Sequence, residues 1–403
     1  MKEREVVIVD GCRTAFGKMG GGLKDFAATE LGGICVKALL DRTGVLERGG
    51  KVDSLLAGMA IAEHRAIIGT ARYISQCAGL PYDVAATFVE MQCGSAITAL
   101  NHAAWKIKMG MSDIAVVGGV ESHSNLPAPF RTDYVPFRAE PPVALAYHLT
   151  PNAERDTDMI QNSDKMADQW NVSRQEADEF AYRSQQRLDA AYKTGLIGPE
   201  IIPVTVPATR KNPEIIVDKD EHPRPNITME QISGMKAIYA GGVTTAANSS
   251  GRNDGAAFLL VMTAEKAEEL GYIPYARWIG CGHAGFQEDL MGLAASRSNL
   301  QAMKHLGLRI KDFDVWECNE AFAAQNVAVI KDMEAITGEK IDQDKWNPNG
   351  GAIAIGHPNG ASGARITIFA MKQMEKTGGK YASISACCGG GHGSTAIIEN
   401  LRR

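Results

Sequence analysis

The sequence has 403 residues, enough for two or three ordinary domains or for one large domain built by duplication. Its formal net charge of −5 offers no positive field to a polyanion, which argues against nucleic-acid binding. No apolar run approaches the roughly 18 to 20 residues of a membrane span, and the first residues do not resemble a secretory signal. We therefore expect a cytoplasmic protein that does not enter the membrane.

The eight cysteines are scattered along the chain, and none has the C-x-x-C spacing of a zinc or redox site. This arrangement is typical of free thiols in a reducing compartment. The sequence therefore predicts no metal site.

An internal repeat is visible from the N-terminus onward. Three pairs of short segments, each with one member in either half of the chain, are separated by the same 269 residues. The pairs are Gly11-Cys12 with Gly280-Cys281, Cys93 with Ser362, and Gly118-Gly119 with Cys387-Cys388. They predict an α/β protein of two similar halves, each with mainly parallel strands alternating with helices. The alternative is that short glycine-rich matches arise by chance.

A stretch with several prolines, residues 127–224, interrupts the first half and contains a charged helix predicted at 173–192. It predicts an inserted lobe. We therefore divide the chain into a first half at 1–126, an inserted lobe at 127–240, the completion of the first half at 241–275, and a second half at 276–403.

Cys93 is the first residue with predicted chemistry. It lies where an apolar run gives way to a helix that begins with small residues, Gly94-Ser95-Ala96. A thiol at the positive end of a helix dipole should have a lowered pKa and form a nucleophilic thiolate. The alternative is a buried structural cysteine, which this feature alone favours.

Three later segments are candidates to complete a site. Asn319 follows a predicted strand, where it either orients a water or donates to an oxyanion, or simply caps a helix. His357 lies between glycines and a proline, which would hold it rigidly in an extended conformation in a cleft, with a purely structural histidine as the open alternative. Cys387 ends a predicted strand, and the N–H groups of residues 389–391 then suit an oxyanion hole, a phosphate cradle or a plain turn.

Together these segments resemble the thiolase family over essentially the whole chain. The matching segments are Cys93-Gly94-Ser95, Gly118 to Ser122, Asn248 to Ala257, Asn319-Glu320-Ala321-Phe322, Gly356-His357-Pro358 with Gly360 to Gly363, and Cys387 to Gly391. The resemblance implies a duplicated αβαβα five-layered core, with a covering, CoA-binding lobe inserted in the first half.

The resemblance also implies reversible thiolytic cleavage of a 3-oxoacyl-CoA, or the reverse Claisen condensation. Cys93 would carry the acyl group as a thioester, His357 would activate it, and Cys387 would be the acid/base at the α-carbon. One oxyanion would be bound by His357 and a water oriented by Asn319. The other would be bound by the N–H groups of Cys93 and Gly389.

Acyl-CoA and CoA are the implied small-molecule partners, as substrates rather than as a permanently bound cofactor. We expect CoA contacts at five residues, with Arg224 at the nucleotide end. The five are Arg224, Ser250, Met159, Met291 and Phe322. The family further implies a homodimer or homotetramer, and an accessory subunit remains an open alternative.

Some positions depart from the commonest family pattern. Arg252 replaces an aliphatic residue, and His123 and His392 replace methionine-like residues. These departures suggest a thiolase specialised for a polar, dicarboxylic or aromatic acyl group, against the alternative of ordinary drift in a short-chain enzyme.

The sequence argues against three other functions. A decarboxylating ketoacyl synthase would use two histidines in place of His357 and Cys387. A catalytically silent CoA- or lipid-binding scaffold would have lost a catalytic group, and none is lost. An NAD-binding oxidoreductase needs a G-x-G-x-x-G turn that residues 10–15 lack.

Overall fold

The computed structural model describes residues 4–62, 69–131, 141–210 and 212–403. The part before the inserted lobe contains β1 (Val6–Thr14), β2 (Gly17–Lys18), α1 (Ala28–Thr43), β3 (Ser54–Gly58), α2 (Thr70–Cys77), β4 (Ala85–Val89), α3 (Ser95–Lys108) and β5 (Ile114–Ser122). The lobe contains β6 (Phe130–Arg131), β7 (Val143–Ala144), α4 (Met159–Trp170), α5 (Arg174–Lys193), β8 (Ile201–Ile202), β9 (Val204–Val206), β10 (Ile215–Val217) and α6 (Met229–Ser233). The charged helix predicted at 173–192 is therefore confirmed as α5.

The remaining elements complete the first half and form the second. They are β11 (Asn253–Thr263), α7 (Ala264–Glu269), β12 (Ala276–Gly285), α8 (Ala294–Leu306), β13 (Val315–Cys318), α9 (Ala323–Thr337), α10 (Ala352–Ile355), α11 (Asn359–Thr377), β14 (Tyr381–Cys388) and β15 (His392–Asn400). No helix in the described ranges is long and apolar enough to cross a membrane.

One 11-stranded mixed sheet runs through both halves. Its main path is β13-β14-β15-β12-β1-β11-β5-β3-β4, and the halves join where Val6–Ile8 of β1 pair with Ala276–Trp278 of β12. The prediction of mainly parallel strands is wrong. The central pairs are antiparallel, and parallel pairing along the main path is limited to β13 with β14 and to β3 with β4 and β5. One reason is that β14 and β15 are joined by only residues 389–391, and so short a connection permits only antiparallel neighbours.

The two halves of the sheet form two of five layers, and the helices, packed through three hydrophobic clusters of the described residues, form the other three. The central cluster packs α3 and α11 between Leu56 and Leu259 of the first half and Ile384 and Ile398 of the second. A second cluster holds α1 and α2 on the outer face of the first half, and a third holds α8 and α9 on the outer face of the second. This αβαβα arrangement confirms the predicted fold.

The duplication places equivalent helix starts side by side. Gly363 of α11 has no side chain, and a Cβ there would lie 2.7 Å from the backbone nitrogen of Ile97 in α3. Such a close approach of two helices requires glycine. The first turns of α3 and α11 consequently meet at the centre of the molecule, next to Cys93 and His357.

Candidate active site

Cys93 lies on a tight turn between β4 and α3. Gln92, the residue before it, has a positive φ of 47°, which is unusual for a residue with a side chain. Ser95 stabilises the turn, because its hydroxyl donates to the Gln92 carbonyl at 2.7 Å and accepts from the Met91 N–H at 3.0 Å. The strained turn fixes the Cys93 side chain at the first turn of α3. Sequence reasoning missed Gln92, since a positive φ at glutamine has no sequence signal.

The surroundings of Cys93 favour the neutral thiol. The residue is only 8% exposed, and burial raises the pKa of Cys93 to about 12, with a smaller contribution in the same direction from Glu121. The Asn359 side-chain N–H donates to the Cys93 sulfur at 3.2 Å and acts in the opposite direction. The prediction of a lowered thiol pKa is therefore wrong for the unliganded chain. A nucleophilic role for Cys93 would therefore require a base that removes this proton.

His357 is held in one tautomer. The Ser362 hydroxyl lies 2.6 Å from His357 Nδ1 and donates its single proton to the Pro358 carbonyl at 3.1 Å. Ser362 must then accept from His357 Nδ1–H, which leaves Nε2 unprotonated and able to act as an acceptor. Burial first, and then His123 and Arg365, lower the pKa of His357 to about 3. The imidazole is consequently neutral at physiological pH and suited to accept a proton at Nε2.

The backbone on either side of His357 is also fixed. Asn253 accepts from the His357 N–H at 3.0 Å. Gly356 has a φ of 103°, and a Cβ there would lie 2.5 Å from the Asn253 side chain, so only glycine fits. These contacts explain the rigid placement predicted from the glycine–histidine–proline pattern.

Asn319 lies directly against His357. Its side-chain N–H faces His357 Nε2 at 3.3 Å, and its own backbone N–H donates to the Ser385 carbonyl at 2.9 Å. The side-chain oxygen of Asn319 is buried without a partner in the described chain, a position that suits a bridging water. Asn319 is not the N-cap of α9, which is Phe322.

Cys387 ends β14 and is fully buried. Burial raises its pKa well above the usual value for a thiol, and the neighbouring Cys93 makes the next contribution. After Cys387 the chain turns through Gly390 and Gly391, which have φ values of 81° and 82°. A Cβ at Gly389 would lie 3.4 Å from Gln92, so the hairpin packs against the turn that carries Cys93.

Glu121 is a second residue that sequence reasoning left without a role. Its carboxylate accepts from the backbone N–H groups of Ala60 and Gly360, both at 2.9 Å, and of Ile61 at 3.3 Å. Burial raises the pKa of Glu121 to about 7. The carboxylate therefore ties the end of β5 to the first turn of α11. Its only signal in the sequence is the position of Glu121 in a segment that resembles the family.

The five candidate CoA contacts fall in two places. Met291 and Phe322 are buried in the same hydrophobic cluster as Cys387, and the partly buried Met159 packs against that cluster. Ser250 is close to them, because its N–H donates to the Ala321 carbonyl at 3.0 Å. Arg224 is exposed and lines a separate surface pocket of about 600 Å³ that continues to Met235 at the end of α6.

Two family models cover nearly the whole chain. The thiolase N-terminal domain matches residues 6–265, and the thiolase C-terminal domain matches residues 272–400. This chain belongs to the thiolase family. It is therefore an acyltransferase, and the thiolase function predicted from sequence is confirmed.

Individual relatives of this thiolase match it end to end. A beta-ketoadipyl-CoA thiolase of Acinetobacter baylyi is 37% identical over 99% of this chain and 100% of its own. An acetyl-CoA acetyltransferase of Syntrophomonas wolfei is 36% identical with the same coverage. The crystal structure of human mitochondrial 3-ketoacyl-CoA thiolase in complex with CoA aligns with a TM-score of 0.87 at 33% identity, covering 98% of each chain.

Proposed function

We propose that this thiolase acts on 3-oxoacyl-CoA through an acyl thioester on Cys93, with His357 as its base and Cys387 as the acid/base at the α-carbon. The observation that carries the proposal is the convergence of these groups from both halves of the fold. The neutral, buried His357 lies two residues before Asn359, whose side chain contacts the buried thiol of Cys93. The buried Cys387 ends the strand whose glycine hairpin packs against Gln92, the residue before Cys93.

In the cleavage direction, His357 Nε2 takes the Cys93 proton while the sulfur attacks the 3-oxo carbonyl. The bond between C2 and C3 then breaks, its electron pair passes to C2, and the Cys387 thiol protonates C2 to release acetyl-CoA. The acyl group remains on Cys93. In the second half-reaction CoA attacks this thioester, its thiol proton passes to the Cys387 thiolate, and the Cys93 sulfur regains its proton from His357.

Two oxyanions form at different steps, and each needs its own donors. We assign the first to His357 Nε2–H, once protonated, together with a water held by Asn319. Support comes from the 3.3 Å contact between Asn319 and His357 and from the unpartnered Asn319 oxygen. We assign the second to the backbone N–H groups of Cys93 and Gly389, supported by the packing of the glycine hairpin against Gln92.

CoA is a substrate in this proposal, with no permanent cofactor. Within the described residues, no group of three or more His, Cys, Asp or Glu side chains is arranged to hold a metal ion. We propose that Ser250, Met159, Met291 and Phe322 lie along the reactive arm of CoA and that Arg224 contacts its nucleotide end. The exposed pocket at Arg224 supports the second assignment.

We also propose that the protein is cytoplasmic and assembles as a homodimer or homotetramer. Within each chain we keep the division into four parts, with boundaries after residues 126, 240 and 275. Strand β4 supports self-association, because it forms one edge of the main sheet and exposes Phe88 by 39%. Native sheets cover such edges. Light scattering during gel filtration tests the assembly, and a monomer would contradict it.

The test of function is intact-protein mass spectrometry after mixing with a panel of acyl-CoAs, alongside Cys93→Ala. We expect an acyl adduct that maps to Cys93 and is absent from the variant. Failure of every acyl-CoA to label Cys93 would contradict the mechanism. Restriction to polar acyl groups, and a required partner protein, are not favoured, since near-equal relatives are named for both oxoadipyl and acetyl chemistry.

A further inference from the structure

A chain of hydrogen bonds leads from the surface to the sulfur of Cys93. Arg252 Nε lies 3.3 Å from His123 Nδ1, and His123 Nε2 lies 2.6 Å from the side-chain oxygen of Asn359. The side-chain nitrogen of Asn359 lies 3.2 Å from Cys93 Sγ. Among the described residues, Asn359 is the only side chain that hydrogen-bonds this sulfur.

The direction of every bond in this chain follows from Arg252. A guanidinium has donors and no acceptor, so His123 Nδ1 must accept from it. The neutral imidazole then carries its proton on Nε2, which can only donate to Asn359. The amide oxygen of Asn359 is thereby held toward His123, and its N–H toward Cys93. Burial, and secondarily Arg252, lower the pKa of His123 to about 4, which agrees with a neutral ring.

The three side chains are carried by anchored backbone. Arg252 forms a parallel bridge with His357, and its carbonyl accepts from the Met19 N–H at 3.1 Å. The turn that begins at His123 is held by Asp254, which accepts from the Ser124 N–H at 2.9 Å. Asn359 is the first residue of α11. The chain of hydrogen bonds is thus built into the same three segments that surround the nucleophile.

We propose that Arg252 and His123 are positioning residues that fix the amide of Asn359 so that its N–H group, and not its carbonyl, faces the sulfur of Cys93. Without this restraint the two ends of the amide can exchange, and the carbonyl would accept from the thiol and stabilise its protonated form. An N–H donor instead stabilises the thiolate that forms during attack. Burial, and secondarily Glu121, oppose thiolate formation at Cys93, which makes this single donor important. The inference rests on the proposed role of Cys93 as nucleophile.

Substitutions at the exposed Arg252 test the proposal with little risk to folding. Arg252→Lys keeps a side chain that can only donate, and Arg252→Leu removes the donor. Arg252→Glu supplies an acceptor, which would move the His123 proton to Nδ1 and thereby turn the Asn359 amide so that its carbonyl faces Cys93. The readout is the rate of Cys93 alkylation by iodoacetamide between pH 7 and 10, followed by peptide mass spectrometry. Peptide mapping is needed because Cys77 is exposed and would also react.

We expect alkylation of Cys93 at a fixed pH to slow by about tenfold in Arg252→Glu relative to Arg252→Lys, with Arg252→Leu between them. The difference should vanish in an Asn359→Leu background, where no amide remains to orient. In turnover assays, kcat should fall while the KM for acetyl-CoA stays constant. Equal alkylation rates for the lysine and glutamate variants would overturn the proposal.

A second result would also overturn it. If the variants change only the KM for acyl-CoA, Arg252 and His123 form a wall of the acyl pocket and do not act on Cys93. Alkylation is measured without turnover, so it stays informative even if no acyl adduct forms. Failure of the proposed function and failure of this inference are therefore distinguishable.

Discussion

Changing Cys387 to serine tests whether its proposed proton transfer can be separated from the proposed acylation of Cys93. A hydroxyl is a much weaker acid than a thiol, whose ordinary pKa is about 8.5, so serine should be unable to protonate C2 effectively. Positioned acid–base groups contribute about 10²- to 10⁴-fold, and we expect thiolysis of acetoacetyl-CoA to fall by that factor. Cys387 is 0% exposed, so an unsatisfied hydroxyl there should cost about 1–3 kcal/mol of stability. That cost is smaller than the stability of a typical domain, about 5–15 kcal/mol.

Acylation of Cys93 and proton transfer at carbon can be measured in separate assays. Transfer of an acetyl group from acetyl-CoA to Cys93 breaks no C–H bond, and the departing CoA thiolate depends less on protonation by Cys387 than a carbanion does. Rapid-quench mass spectrometry should therefore show this step changed by less than about tenfold, well below the 10²- to 10⁴-fold expected for proton transfer at carbon. Exchange of the acetyl-CoA methyl protons with deuterated water requires the acid/base at carbon and should fall in parallel with thiolysis. Cys388→Ser is the matched control, because Cys388 is equally buried and adjacent in β14.

Equal loss of acylation and exchange in Cys387→Ser would refute the assignment, because it would indicate damage to the whole pocket. The assignment would also fail if Cys388→Ser lost methyl-proton exchange while Cys387→Ser kept it. Thermal unfolding of both variants checks that the comparison is made between folded proteins.

Three further predictions follow from the site. The pKa of His357 falls from 6.5 to about 3 on folding, so the unfolded chain binds more protons and stability is lost as pH falls below about 6.5. His357→Asn should therefore weaken the decline in unfolding free energy between pH 7 and pH 4.5 by about 3 kcal/mol, measured by urea titration. Gln92→Gly should be tolerated at its positive φ, whereas Gln92→Val should lower the unfolding free energy by about 1–2 kcal/mol in the same assay. Arg224→Ala should raise the KM for CoA at unchanged kcat in steady-state thiolysis, and an unchanged KM would remove Arg224 from the proposed CoA site.

The duplication was predictable because symmetry leaves a sequence signal that needs no knowledge of contacts. The pairs at one offset, such as Gly118 with Cys387, were enough to predict two similar α/β halves. Strand direction was not predictable in the same way. Alternating strands and helices favour parallel pairing, but the antiparallel centre depends on which strands become neighbours, and only the short connection at residues 389–391 shows this locally.

The site was predictable in its residue types and not in its electrostatics. Cys93, His357, Asn319 and Cys387 lie in short segments with unusual glycine and proline content, which made them visible. The direction of the Cys93 pKa shift was wrong, because a helix dipole is a local feature whereas burial depends on the whole packed core. The contact between Asn359 and Cys93 joins residues 266 positions apart, and sequence alone does not report it.

The proton positions explain why this pocket needs two halves. Burial raises the pKa values of the Cys93 and Cys387 thiols and lowers that of the His357 imidazole, so these three groups are neutral at physiological pH. In the proposed mechanism each chemical step creates one ion pair among these groups, and the next step removes it. A low-dielectric site can support this only if donors such as Asn359 are already oriented, because reorganisation during the step would add to the barrier. The meeting of α3 and α11 at their first turns provides that fixed arrangement.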